Sequence, residues 1–563
     1  MKKLVRARTL TLNLLLLTVF SVLLVALAAA SAGAVQITPA PKTYYFTWYD
    51  STPVDGMQGD WIVIGNLENS SANVQVFFGN QAAPRETFTV GAQGRQVISW
   101  PNTMGGPVKV ISTGGQALVV TQRVLHNGYF NEVPAIMQDN LDSSYYFTWY
   151  DFTTQDSMNG NWILIANEDS QAAAVNVYIG SSTVPSRSFN IAPGQFVTPE
   201  FPGLMGGPVH VVSSGGQKLL VSQRVLYKNS FNEAMGFPES HLDSVYYFDW
   251  YDMTSDFSAG NWVLVANPNN TPVQASVYIG SNPNPRGTYS LGPHRIATPT
   301  YAGLMDGPVR VVCTSGCNAG GKLIVSQRML YKNSFEELQG TPPGGMDTEM
   351  DFGWYDMQSP GMKDWQLISN PDPSSGGAAV NVYMGAAASP VYATAISGGG
   401  RVTPQFPGVM SGPVNVMSQN GVLLASQRVL YMSTSFNELV GLPRFATGQL
   451  AAPMPDMQLL ETNAYWASTA DYASRKLSVD FRIMNKGQEE ALSASIDRVD
   501  ATNGVTALTA LPKALGNIDT PPSGGDAFMI QYYVPQSVQS FHTSVYAHCQ
   551  DSNGATYYYP AKP

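Results

Sequence analysis

Apolar and polar residues alternate along most of this chain. Val175, Val177 and Ile179 point one way while Asn176 and Tyr178 point the other, the period of two expected of a half-buried strand. No stretch of 10–15 residues with helical periodicity separates such segments, which excludes parallel α/β architecture. The segments recur as a block. "YYFTWYD" at 44–50 returns at 145–151, as "YYFDWYD" at 246–252 and as "MDFGWYD" at 350–356. Trp48, Trp149, Trp250 and Trp354 are 101, 101 and 104 residues apart. Each is followed by a second Trp strand ending in Asn ("DWIVIGN", "NWILIAN", "NWVLVAN", "DWQLISN"), a strand ending in Gly ("VNVYIG" in the second copy), a "GPV" strand and a segment of the type "SQRVLYKNSFNE".

About seven strands in some ninety-five residues predict a β-sandwich or small barrel for each copy. A propeller blade needs only about 40–50 residues. The fold class is therefore all-β: four homologous β-sandwich (or small barrel) domains at 43–138, 144–238, 245–341 and 349–443. A linker at 444–457 and a distinct fifth β domain at 458–563 follow. The connections "QDNLDSS", "PESHLDSV" and "QGTPPGGMDTE" are short and carry Pro or acidic residues. They predict restricted angles between neighbours, hence beads in a semi-rigid rod, each closed by "SQRVLYKNSFNE" as its last strand.

The N-terminus changes the expected location. Lys2, Lys3, Arg6 and Arg8 precede an apolar run from Leu10 to Ala30, and Ala32-Gly33-Ala34 fits a small-residue cleavage site. The segment 1–34 reads as an export signal, with a retained membrane anchor as the alternative. Its removal takes away four basic and no acidic residues, moving the net charge from −10 to −14. That balance opposes nucleic-acid binding, which needs many Lys and Arg, and offers no electrostatic grip on anionic lipid. Cys313 and Cys317 lie in an insertion confined to one hairpin tip of the third copy. Without nearby His they form a poor zinc site, and a local disulfide is the better reading. Cys549 stands alone.

Chemistry is sparse. None of the six His recurs at the same place in two copies, and no H-E-x-x-H or G-x-S-x-G is present. No cofactor is expected. What recurs is Asp50, Asp151, Asp252 and Asp356 at the end of "WYD", the "QR" arginines Arg123, Arg224, Arg328 and Arg428, and the closing Glu132, Glu233, Glu337 and Glu438. One reading is a glycosidase carboxylate pair; four identical active sites in tandem speak against it. The other is an Arg–carboxylate clamp tying the last strand to the first, for which a planar guanidinium is suited. The aromatic pairs Trp48–Tyr49, Trp149–Tyr150, Trp250–Tyr251 and Trp354–Tyr355 have two readings as well, core filling or a stacking platform for glycans. The Asp- and Asn-rich loop "DFTTQDSMNGN" raises Ca²⁺, but its spacing is not that of an EF-hand.

Two resemblances add to this. "KLSVDFRIMNKGQEEALSASI" near the C-terminus resembles bacterial immunoglobulin-like domains of the cell-adhesion-related type, which implies a sandwich used as a surface or spacer module. The four repeats resemble tandem β-rich units of exported bacterial proteins, on the strength of the Trp-led strand ending in Asn and the strand ending in Arg-x-x-Tyr. That group implies a surface or secreted location without an assigned reaction. The expected function is a secreted or surface-associated, non-enzymatic structural or adhesion protein. The alternative is a carbohydrate-binding array on polysaccharide or cell wall. Expected partners are cell-surface or extracellular matrix components, or further copies of the chain, with no nucleic acid and no membrane span once the signal is removed.

Overall fold

The computed structural model describes residues 36–37, 41–444 and 457–559, apart from short stretches at 154–156, 255–256, 258, 318–320, 374–375, 419–420, 486–489, 520–524 and 551–555. The segment read as an export signal lies outside them. The chain is all-β and divides into two compact units, one of residues 41–450 and one containing the C-terminal domain.

Each repeat in the first unit has two large antiparallel sheets and a small two-stranded one that pairs the end of "WYD" with the strand before "GPV". In repeat 1 one sheet has the order Ile136–Met137, Lys42–Phe46, Val108–Ser112, Ala72–Phe78, Glu86–Val90. The other has Tyr129–Pro134, Leu118–His126, Met57–Asn66, Arg95–Ile98. The inward residues of both sheets, such as Phe46, Val74, Val76, Val110, Ile62 and Ile64, form one core, as the period-two pattern requires. The Tyr of "WYD" is inside it. Tyr49 donates its hydroxyl to the Asp60 carbonyl and accepts from the Trp100 amide, so a large buried ring keeps its polar tip satisfied. The recurring Asn at the end of the Trp strand fastens a loop: Asn66 donates to the carbonyls of Ser70, Val90 and Gly91. The Gly of "GPV" is required by a close approach. A Cβ on Gly207 would lie 2.2 Å from the Thr148 carbonyl oxygen and 2.8 Å from the Trp149 Cα, where no side chain fits.

"SQRVLYKNSFNE" is two strands rather than one closing strand. Leu219–Tyr227 turns at Lys228 and Asn229 into Ser230–Met235, with Lys228 in the left-handed region at φ 51°. The second member of this hairpin, here called the inner strand, is an edge strand in every repeat. The inner strands are Tyr129–Pro134, Ser230–Met235, Ser334–Gln339 and Ser435–Val440.

The rod expected from the linkers does not form, because the four inner strands pack against one another and close a ring: 1 on 2, 2 on 3, 3 on 4 and 4 back on 1. An edge strand exposes unpaired N–H and C=O groups, and here side chains of the neighbouring repeat cover them. The Ser230 hydroxyl accepts the Phe335 amide at 3.0 Å, Ser334 that of Phe436 at 2.9 Å and Ser435 that of Phe130 at 2.7 Å. Repeat 1 has Tyr129 at this position; at its junction with repeat 2 the Asn131 side-chain oxygen Oδ1 accepts the Glu233 amide at 3.1 Å instead.

The C-terminal domain is two four-stranded antiparallel sheets around Leu477, Phe481, Ile496, Ile530, Tyr532 and the buried Cys549. Cys313 and Cys317 are disulfide-bonded, and the buried Cys549 is outside any disulfide. Thiol labelling of denatured, non-reduced protein is accordingly expected to count one thiol per chain. A count of three would contradict the bond.

Candidate functional site

The recurring residues assemble at the four junctions of the ring. Within each inner hairpin Arg and Glu face each other directly across the two strands. The pairs Arg123–Glu132, Arg224–Glu233, Arg328–Glu337 and Arg428–Glu438 are 3.1–3.3 Å apart, and each carboxylate is almost fully buried. The clamp therefore closes a hairpin and does not tie the last strand of a repeat to its first, because the segment read as one strand folds back on itself.

Each Glu also accepts the indole N–H of the preceding repeat. Trp48 donates to Glu233 at 2.5 Å, Trp149 to Glu337, Trp250 to Glu438 at 2.6 Å and Trp354 to Glu132 at 2.8 Å. The last of these closes the circle from repeat 4 to repeat 1. The guanidinium of the same pair lies over the same indole, with Arg224 3.4 Å from the Trp48 ring centre and Arg123 3.8 Å from that of Trp354. Cation, carboxylate and indole thus engage one another, each by a different interaction. Apolar contacts surround them: Trp48, Val124, Leu164 and Phe231 at one junction, and Val63, Phe130, Trp354 and Val429 at the closing one.

The "WYD" aspartates stand apart from these triads. Asp50, Asp151 and Asp252 each accept the amide and hydroxyl of the Thr two residues on, and Asp356 accepts the amides of Gln358 and Ser359. They are loop caps of the Asx type. The eight aromatics proposed for glycan stacking are all buried. Trp48 is 5% exposed, Trp354 1% and Tyr49 0%, and an Arg covers the indole face that a sugar would need. The loop read for Ca²⁺ falls partly outside the described residues. Among the described residues no group of three His, Cys, Asp or Glu is placed to hold a metal, and no helix is long and apolar enough to cross a membrane.

The sequence reading missed a set of buried acids near the junctions. Comparison of the repeats with one another exposes them. Asn161 and Asn261 each accept a Gln amide on the side-chain oxygen and donate their Nδ2 to the carbonyl of the "WYD" Asp. Repeats 1 and 4 carry Asp60 and Asp364 at this position. One oxygen of each accepts from Gln122 or Gln427 and from the Asp50 or Asp356 amide, while the other has no partner. Both are fully buried and burial raises their pKa well above the usual carboxylate range. In the neutral acid the unpartnered oxygen carries the hydrogen that the Asn amide supplies in the sister repeats. Asp249 stands where repeats 1 and 2 have Thr47 and Thr148. Burial, with the Glu438 carboxylate adding to it, pushes it up to about 7.

No protein-family model matches the chain, and no curated protein matches its sequence.

Proposed function

We propose that this chain is a non-enzymatic structural or adhesion protein, exported and acting at or beyond the cell surface, with the four-repeat ring as its rigid scaffold. The carrying observation is the cyclic Trp–Glu–Arg closure. The polar side chains that recur in all four repeats as chemical candidates are engaged in hairpins, junctions or loop caps, and a partner is left to meet the loops that differ between repeats. Recurrence then reflects the demands of assembly, since every copy must dock on the next in the same way. One recurring side chain does face outward: Met104, Met205, Met305 and Met410 are all exposed.

Co-sedimentation with isolated cell envelopes tests the reading. The folded mature protein is expected to pellet in a saturable way and to show no turnover in a broad hydrolase screen. Turnover by the purified protein, or complete recovery in the supernatant, would contradict it.

A further inference from the structure

The inner strands of all four repeats line a single cavity of about 230 Å³. Its wall is largely apolar, with Val133, Ala234, Met235, Leu338 and Leu439 among the lining residues. Five glutamates also contribute. Four of them, Glu132, Glu233, Glu337 and Glu438, face their own Arg. The fifth, Glu336, is buried and has no cation within ion-pair distance among the described residues. Its oxygens accept from neutral groups only, the amides of Asn232 at 3.1 Å and of Asn437 at 3.1 and 3.2 Å and the Glu438 backbone.

Repeat 3 departs from its sisters here twice. Glu336 replaces the Asn131, Asn232 and Asn437 of the other inner strands, and of the four residues only Glu336 lines the cavity. Three residues on, Gln339 replaces Pro134, Met235 and Val440; it lines the same cavity, and its Nε2 has no hydrogen-bond partner. A uniform ring would present apolar residues and four glutamates, each paired with its own Arg. This one adds a buried acid with no cationic partner, Glu336, while Gln339 projects from the opposite face of the same strand. That combination of apolar wall and few convergent polar groups is the form of a small-molecule site.

We propose that this cavity binds one small organic ammonium ion per chain. Glu336 supplies the counter-charge, and the apolar wall covers a compact hydrocarbon body. The inference goes beyond the scaffold reading and does not depend on it. Burial and the nearby Glu438 carboxylate favour the neutral acid at Glu336, while Arg328 and Arg428 are held by Glu337 and Glu438. An entering ammonium ion therefore displaces a proton, and affinity rises with pH until the free carboxyl is already ionised.

The test is calorimetric titration of the full mature chain with butylammonium and benzylammonium chloride, with 1-butanol and butyrate as neutral and anionic isosteres. The expected result is saturable binding of at least one amine at one per chain, about tenfold or more tighter than its isosteres and stronger at pH 8 than at pH 6. Glu336→Gln is expected to weaken it about tenfold or more while leaving the melting temperature near that of the parent. Glu336→Asn, the residue of the three sister repeats, is the second variant should the Gln form fold poorly. The proposal is overturned if neither amine binds saturably, if butanol binds as well, or if the folded variant binds the amine unchanged. The last outcome would make Glu336 a neutral structural acid.

Discussion

Between pH 4 and pH 8 the ring is expected to lose stability as the pH rises, through acids that are buried neutral. Asp249 is the clearest case. Its pKa goes from an unfolded value of 3.8 to about 7 in the fold, so the folded state binds the extra proton. The stabilisation is fully present below about pH 4, declines as the pH rises and is gone above about pH 7. A shift of this size in a fully buried group corresponds to roughly 4 kcal/mol. Asp60 and Asp364 act in the same direction. His210 and His241, which burial holds below their usual pKa, act oppositely below about pH 6.5. The informative quantity is therefore the difference between parent and variant. Asp249→Thr restores the residue of repeats 1 and 2, where Thr47 meets Ser222 and Glu233, and Ser426 with Glu438 waits at the same place. Melting curves across this range should show Asp249→Thr, Asp60→Asn and Asp364→Asn gaining on the parent as pH rises. Parallel profiles for parent and variants would show that these acids are ionised throughout.

The second large effect is at a junction. Arg224→Ala leaves Glu233 buried with its charge unpaired, and Trp48→Ala empties the space beneath the guanidinium. Breaking a buried pair by removing one partner costs about 3–5 kcal/mol, and Trp→Ala in a core costs a similar amount. Their combination carries the sharper information. Trp48 and Arg224 belong to different repeats but are in contact, so their effects should fall short of additivity by about 1 kcal/mol or more. Trp149 lies in the same repeat as Arg224 but stacks on Arg328; that pair should add to within about 0.5 kcal/mol. Repeats folding as separate beads, each with its own clamp, would reverse the two results.

The all-β fold and its tandem repetition were legible because side-chain alternation has a fixed period and the block recurs within a few residues of constant spacing. That Arg meets a carboxylate was legible too, but where it does so was not. Read as one strand, the segment puts the pairing between the last strand and the first; its turn instead brings Arg face to face with the closing Glu in a hairpin. The ring was not legible. Sequence period carries no information on the rotation from one repeat to the next, and the short linkers, which suggested stiffness, are compatible with any constant angle. The role of Trp48 was hidden for a related reason: its acceptor is Glu233, 185 residues away, and equally a Glu stands in its own repeat. One usable signal was present and passed over. Four copies of a domain serve as an internal comparison, and the places where copies differ, Asp60 and Asp364 against Asn161 and Asn261, Asp249 against Thr47 and Thr148, Glu336 against Asn in the other three, mark the buried acids.

Ring closure is the central claim, and distances between repeats test it most directly. Met104, Met205, Met305 and Met410 occupy equivalent, exposed positions. Each can be replaced in pairs by a spin-labelled Cys in the full chain, with Cys313 and Cys317 kept oxidised and Cys549 buried. In the ring, the 104–410 distance should match the 104–205 distance and be shorter than 104–305. A 104–410 distance longer than 104–305 would mean an open row of repeats and would contradict the account.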